Sequence, residues 1–217
     1  MIQEPWPYTI RPMEPGDIPS VVAIDRLSFP TPWSASSYAY ELKHRNSSFF
    51  YVLLKPDSGA SSPSGRSWRR WLYGATGLGP SRVIGYVGIR LRNAGTHIST
   101  IAVHPDWRGN GLGELLLLTV IEQSAKMKSS IVTLEVRPSN KIAQSLYQKY
   151  GFRFTGVHEG YYRDGENAWL MTVEIDRNIY RQRLTELHRA LERRLCYPEQ
   201  KRPTAAPDVG QKEADTL

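Results

Sequence analysis

A glycine-rich turn between a strand and a helix has the clearest potential for chemistry in this 217-residue chain. It spans residues 101–114 and reads IAVHPDWRGNGLGE. The unpaired N–H groups at a helix N-terminus and the helix dipole favour an anion at such a turn. Glycines at alternate positions let the backbone approach that anion closely, and Arg108 adds a positive charge. The segment suits a pyrophosphate; the alternative is a glycine-rich turn that holds no ligand.

The spacing of the glycines excludes two common phosphate-binding motifs. No Lys-Ser/Thr pair follows the last glycine, so the turn is not a Walker A loop. The dinucleotide fingerprint requires G-x-G-x-x-G, whereas Gly109, Gly111 and Gly113 are spaced G-x-G-x-G.

Two further side chains could carry acid–base chemistry. Glu135 interrupts an apolar strand, and its neighbours Leu134 and Val136 point to the other face. Partial desolvation raises the pKa of a carboxyl, so Glu135 is either a general base or a strand-edge glutamate that faces solvent. Tyr147 lies on a helical segment, where its hydroxyl could protonate a leaving thiolate or simply pack. Asn140 is a candidate N-cap of that helix.

These side chains need a scaffold, and the apolar patterning predicts one. The predicted elements are strand 8–11, helices 18–29 and 34–43, strands 49–54, 83–91 and 97–103, helix 111–128, strand 131–136, helix 140–150, strands 152–157 and 168–175, and helix 177–195. Asp17 and Ser34 are the candidate N-caps of the first two helices. The order predicts an α/β protein with a mixed sheet and helices on both faces.

Composition and charge narrow the class of protein. A single cysteine excludes an internal disulfide framework and a cysteine-rich zinc site, and the five histidines are scattered, so we expect no metal. We find no apolar run of membrane-spanning length and no secretory signal, which predicts a cytoplasmic protein. The net charge of +7 lies mainly in residues 57–82 and 177–202, the candidate regions for ribosome or RNA contact.

Taken together, the motifs resemble the Gcn5-related N-acetyltransferase (GNAT) superfamily. The Arg108-x-x-Gly111-x-Gly113 arrangement is similar to its pyrophosphate loop, and LEVRPSN at 134–140 with LYQKYGF at 146–152 resembles the RimI-type ribosomal-protein-alanine N-acetyltransferases. The resemblance implies a GNAT fold, a mixed and mostly antiparallel sheet of about seven strands flanked by helices. The resemblance covers a domain over 1–176. Composition and helical periodicity add a flexible basic insertion at 57–82 within it, an amphipathic helix at 177–197 and a disordered tail at 198–217.

The resemblance also implies an activity, the direct transfer of an acetyl group from acetyl-CoA to a protein N-terminus. The implied substrate is the N-terminal alanine of a small-subunit ribosomal protein. Glu135 would be the general base, through a water, and Tyr147 the general acid for the CoA thiolate. The residues implied to bind acetyl-CoA are Ile101, Ala102, Val103, Arg108, Gly109, Asn110, Gly111, Leu112, Gly113 and Asn140. Those implied to line the peptide side are Pro32, Trp33, Tyr161 and Tyr162.

Two other functions stay open on the sequence. Glu135 and Tyr147 would serve equally for acetyl transfer to a protein lysine or to a small-molecule amine. A non-catalytic acetyl-CoA-binding module on the ribosome or on RNA is the alternative of a different class. The chain departs from the family pattern in its insertion, in its C-terminal helix and in Asn167, where the family usually has aspartate.

Overall fold

The computed structural model describes residues 7–44, 46–55, 82–92, 95–175 and 178–196. Nearly all of the predicted insertion and the whole predicted tail lie outside these residues. The described elements are β1 (Thr9–Pro12), α1 (Ile18–Ser28), α2 (Ala35–Lys43), β2 (Ser48–Leu54), β3 (Val83–Arg92), β4 (Gly95–Val103), α3 (Leu112–Lys126), β5 (Ile131–Val136), α4 (Lys141–Lys149), β6 (Arg153–His158), β7 (Ala168–Glu174) and α5 (Asn178–Cys196). The predicted order of elements is confirmed.

The sheet has the strand order β1-β2-β3-β4-β5-β7-β6. All neighbours are antiparallel except β4 and β5, which α3 connects as a parallel crossover. Their pairing covers only Gly95–Ile98 against Ile131–Leu134. Beyond this point, residues 99–103 pair with β3, and residues 135–136 pair with β7. The two strands therefore separate at their C-terminal ends, and we call the gap between them the wedge.

A bulge in β4 accompanies the start of the wedge. The register between β3 and β4 shifts at Ser99, because Gly88 pairs with Thr100 whereas the next residue, Ile89, pairs with Ile98. A bulge bends its strand and disrupts the ladder locally. Gly88 is needed opposite this point, since a Cβ there would lie 2.3 Å from the Phe50 ring. The bulge thus turns the second half of β4 away from β5.

Helices cover both faces of the sheet, each over its own apolar core. The larger core includes Leu116 of α3 and Leu134 of β5 with residues of α4 and α5. The smaller one joins α1 and α2 to the sheet through residues such as Ile24, Tyr38 and Tyr86. The predicted α/β class with a mixed, helix-flanked sheet is confirmed. In the part of the chain that the structure describes, no helix is long and apolar enough to cross a membrane.

Helix α5 packs on the larger core instead of projecting from it. Leu191 is completely buried, and the partly buried residues of the same apolar face are Tyr180, Leu184, Leu187 and Leu195. The Tyr180 hydroxyl donates to the Tyr150 carbonyl at 3.1 Å, and Arg183 donates to the Lys149 carbonyl at 2.9 Å. These donors satisfy carbonyls at the C-terminal end of α4. The helix ends at Cys196, the only cysteine of the chain, which is partly buried.

Truncating Leu191 should show that α5 stabilises the domain. We expect Leu191→Ala to lower the free energy of unfolding in urea by about 2–5 kcal/mol, the usual cost of a cavity at a buried leucine. Leu27→Ala is the matched control, because Leu27 is also helical but 52% exposed, and its change should stay within about 0.5 kcal/mol. Equal losses in the two variants would show that α5 contributes nothing beyond an exposed helix.

Candidate active site

The wedge places a free backbone edge beside the glycine-rich turn. Ile101, Ala102 and Val103 pair with β3 on one side, and no described strand pairs with them on the side that faces β5. An unpaired strand edge can add an extended ligand through main-chain hydrogen bonds. The wedge therefore suits a linear, amide-bearing group such as a pantetheine arm.

The glycine-rich turn leads from β4 into the N-terminus of α3. Gly109 and Gly111 have φ values of +79° and +78°, a left-handed conformation that other residues rarely adopt, and Gly111 is the N-cap of α3. A Cβ at Gly109 or Gly113 would meet no atom within 4 Å. Unpaired N–H groups and open space thus meet at a helix N-terminus, which fits a pyrophosphate.

The polar side chains of the turn hold its shape. Arg108 donates from Nε to the Val103 carbonyl and from Nη2 to the Ser28 hydroxyl, both at 2.9 Å. Asn110 donates to the carbonyls of Trp107 and Arg108 at 3.2 Å. The Arg108 guanidinium is therefore anchored on the side of the turn that faces α1 and the end of β4, in addition to carrying its positive charge.

Asn140 marks the second helix N-terminus beside the wedge. Its Oδ1 accepts a hydrogen bond from the Ala143 N–H at 3.1 Å, which confirms the predicted cap of α4. The Gln144 side chain donates to the carbonyls of Arg137 and Pro138 at 2.9 Å, so the turn between β5 and α4 is also pinned.

Glu135 lies where β4 and β5 separate, and its carboxylate is paired. The His97 imidazole lies with Nε2 3.0 Å from Oε2 of Glu135 and with Nδ1 3.0 Å from the Thr133 hydroxyl. His158 lies 4.0 Å from the other carboxylate oxygen. The side chains of Glu135 and His97 are 11% and 8% exposed, so this contact is largely buried.

On the sequence, a raised pKa belonged to the general-base alternative for Glu135; the pKa shift has the opposite sign. Burial does raise the pKa of this carboxyl, but the hydrogen bond from His97 and the positive charges of His97, His158 and Arg92 outweigh it. The net effect holds the pKa of Glu135 below its ordinary value. His97 was not singled out in the sequence; the register Thr133↔His97 between β4 and β5 is what brings it to the carboxylate.

Tyr147 lies on α4, the helix that follows β5. Its side chain is buried and packs on Phe152 with ring centroids 5.8 Å apart. No group among the described residues makes a hydrogen bond to its hydroxyl. Burial and the nearby Tyr162 raise the pKa of Tyr147 well above its ordinary value. The hydroxyl is therefore protonated at neutral pH and available as a proton donor.

The loop between β6 and β7 brings Tyr161 and Tyr162 close to Glu135. Burial, together with the Glu135 charge, raises the pKa of both, and that of Tyr162 reaches about 12. The Arg137 guanidinium lies 3.7 Å from the centre of the Tyr162 ring. Tyr162 also raises the pKa of Tyr147, so its ring is near both candidate acid–base groups.

The loop between α1 and α2 carries Pro32 and Trp33. The Trp33 N–H donates to the Asp25 carboxylate at 2.5 Å, and the same carboxylate accepts a buried hydrogen bond from the Tyr86 hydroxyl. The Trp33 ring lies 5.8 Å from the Arg90 guanidinium, and both line a surface cavity of about 440 Å³. Pro32 is exposed. Asp25 thus fixes this loop, and the sequence analysis did not single it out.

Metal chemistry finds no support among the described residues. They contain no group of three or more histidine, cysteine, aspartate or glutamate side chains that could hold a metal ion. The candidate site consists of a glycine-rich turn at a helix N-terminus, a free strand edge, a paired carboxylate, a buried phenol and two aromatic loops.

Comparison with known proteins agrees with this geometry. The model of the acetyltransferase (GNAT) family matches residues 18–152. A Bacillus subtilis protein with the provisional name ribosomal protein bS18-alanine N-acetyltransferase is 32% identical over 168 residues, which are 77% of this chain and 95% of that protein. An N-alpha-acetyltransferase of Saccharolobus solfataricus is 30% identical over 169 residues, 76% of this chain and 91% of the relative.

A solved structure shares the fold. The ribosomal-protein-S18-alanine N-acetyltransferase from Escherichia coli has a TM-score of 0.61 at 25% identity and covers 78% of this chain and 95% of its own. The expected GNAT fold is confirmed, with α5 lying beyond the residues that the family model matches. The chain belongs to the acetyltransferase (GNAT) family and is therefore an acyltransferase.

Proposed function

We propose that this enzyme acetylates the N-terminal amine of a protein, with acetyl-CoA as the acetyl donor. The observation that carries the proposal is the largely buried Glu135 carboxylate, which His97 contacts at the point where β4 and β5 separate. We place this carboxylate between the wedge, which suits the donor, and the aromatic loops, which suit a peptide. A cationic α-ammonium is the substrate group that such a carboxylate attracts.

The donor supplies the acetyl group as a thioester, and this chain holds the donor along the wedge. Ile101, Ala102 and Val103 offer backbone partners to its pantetheine arm. The turn from Arg108 to Gly113, including Gly109, Asn110, Gly111 and Leu112, surrounds its pyrophosphate. Asn140 borders the arm from the N-terminus of α4. The open space at Gly109 and Gly113 supports this placement.

Glu135 binds and orients the substrate amine and takes its proton through a water. Its lowered pKa keeps the carboxylate ionised at pH 7. An α-amine has a pKa near 8, so part of it is already neutral at that pH. Glu135 therefore needs to accept the proton only as the amide forms. Tyr147, which is protonated at pH 7, is the group that returns a proton to the leaving thiolate.

We place the peptide between the two aromatic loops, with Pro32 and Trp33 on one side and Tyr161 and Tyr162 on the other. The relatives' names support an N-terminal alanine of a ribosomal protein as the substrate, and hence a cytoplasmic enzyme. Contact with the ribosome or RNA through 57–82 and 177–202 stays a prediction. Most of the first region and residues 197–202 lie outside the described chain.

The test is a peptide assay with two matched substrates. We expect CoA release from acetyl-CoA when the peptide carries a free N-terminal alanine and the N-terminal sequence of a bS18-type ribosomal protein. The control peptide has the same sequence with a blocked N-terminus and a free internal lysine, and it should give no release. Turnover on the control but not on the free N-terminus would assign the enzyme to lysine side chains. Binding of acetyl-CoA without turnover on any amine would favour the non-catalytic module.

A further inference from the structure

The C-terminal end of α5 lies against the glycine-rich turn. A Cβ at Gly111 would lie 3.3 Å from Nη2 of Arg194 and 3.4 Å from Cδ1 of Leu191. Leu191 is fully buried, so the position of this end of α5 is fixed by the core. A guanidinium from outside the matched residues 18–152 thus stands beside the N-cap of α3.

The charges around this point leave a surplus of cations. Glu114 lies in the first turn of α3, where its carboxylate would repel a phosphate bound at the same helix end. Lys149 and Arg194 both pair with it at 2.5 Å, and the Tyr150 hydroxyl donates to it at 3.1 Å. Two cations against one carboxylate reverse the local sign of charge. The cluster therefore favours an anion beside Gly111.

Arg194 also has donors to spare. A guanidinium has five N–H donors, and Nη2 is the group that donates to Glu114. Half of the Arg194 side chain is exposed, whereas that of Glu114 is 7% exposed. Arg108 reaches the turn from the other side, where Val103 and Ser28 accept its hydrogen bonds. The two arginines therefore flank the turn.

We propose that Arg194 of α5 binds the phosphate groups of acetyl-CoA, so that the helix added beyond the family core completes the donor site. Lys149 shares the neutralisation of Glu114 and so keeps that carboxylate from repelling the phosphates. This inference rests on the proposed function, because it requires acetyl-CoA as the donor. It adds one interaction to that function: a guanidinium of α5, which can bind two oxygens at once, contacts a phosphate of the donor.

The test compares two neighbouring arginines of α5 by calorimetry on the full chain. Arg194→Gln should weaken acetyl-CoA binding about tenfold, since it removes charge-assisted hydrogen bonds to phosphate. Arg193→Gln removes the same charge one residue away on an exposed position and should change the affinity by less than about twofold. Arg194→Lys keeps the charge without the planar fork and should fall between them.

Three ligands locate the contact and separate it from a folding effect. Dephospho-CoA lacks the 3′-phosphate, and pantetheine lacks all phosphates. If Arg194→Gln loses affinity for CoA but not for dephospho-CoA, the contact is at the 3′-phosphate. If it loses affinity equally for both, the contact is at the pyrophosphate. Pantetheine affinity, measured by NMR titration, should not change.

Two results would overturn the inference while leaving the proposed function intact. One is an Arg194→Gln variant that binds acetyl-CoA as well as Arg193→Gln does. The other is an equal loss for pantetheine, which would mean that Arg194 only shapes the turn. A wild-type protein that binds no acetyl-CoA would instead overturn the proposed function itself.

Discussion

Glu135→Gln is expected to lower kcat for peptide acetylation by about 10²- to 10⁴-fold, the usual effect of losing one general acid–base group. Glutamine keeps the shape of the side chain and an oxygen for the His97 hydrogen bond, but it has no charge and takes no proton. The assay is CoA release at saturating peptide. Acetyl-CoA affinity should be unchanged, because other residues surround the phosphates. An unchanged kcat would remove Glu135 from the mechanism.

The pH dependence tests the same residue independently. Since the pKa of Glu135 lies below its ordinary value, its ionisation should not limit kcat/KM between pH 5 and 8. The rise of kcat/KM should instead follow the substrate amine, whose pKa is about 8. The His97→Gln variant lacks the His97 contact that offsets the effect of burial, so the pKa of Glu135 should rise. The acid limb of the kcat/KM profile should then move toward neutral pH. His158→Gln, which removes an exposed group 4.0 Å from the carboxylate, is the matched control with a smaller shift.

Gly111→Val is expected to weaken acetyl-CoA binding by more than about tenfold. At a φ of +78° a β-branched residue costs of order 1–3 kcal/mol, so the turn should open or the helix should fray. Its Cβ would also press on Arg194 and Leu191 at 3.3 and 3.4 Å. Calorimetry should show the weaker binding, and thermal unfolding should show a lower midpoint.

Gly113→Val separates blocked binding from damaged folding. A Cβ at Gly113 meets nothing within 4 Å and the backbone there is not left-handed, so the free protein should keep its stability within about 0.5 kcal/mol. The added side chain should still weaken acetyl-CoA binding if the open space belongs to the donor. Normal affinity in both glycine variants would refute the assignment of the turn.

Local patterns predicted the elements well because their causes are local. Ser34 precedes a helical pattern, and its side chain does accept from the Ser37 N–H. Asp17 has the same sequence context, but its carboxylate binds Arg11 at 2.7 and 2.8 Å and makes no cap to α1. A 3₁₀ turn at Pro15–Asp17 precedes α1, and the same carboxylate accepts a hydrogen bond from the Glu14 N–H at 2.8 Å. The bulge at Ser99 likewise depends on pairing with β3, which no stretch of sequence shows by itself.

The site was predicted less completely, because its electrostatics depend on residues far apart in the chain. The positions of Glu135 and Tyr147 followed from strand and helix periodicity. The sign of the pKa shift of Glu135 could not be predicted in this way, because it depends on His97 across the parallel strand pair. The sequence showed Arg194 only as one of the basic residues of the region 177–202. Its contact with Glu114 exists only because Leu191 fixes the helix against the core.

The lone thiol at the end of α5 provides a built-in reporter. Cys196 follows Arg194 by two residues, and the chain has no second cysteine, so a thiol-reactive fluorophore attaches at one known place without any substitution. Burial and the nearby Glu192 raise the pKa of this thiol, so labelling requires alkaline pH to produce the reactive thiolate. A dye at this position lies two residues from Arg194, whose guanidinium is beside Gly111. Its emission would follow donor binding and release in real time, during turnover, with the native sequence intact.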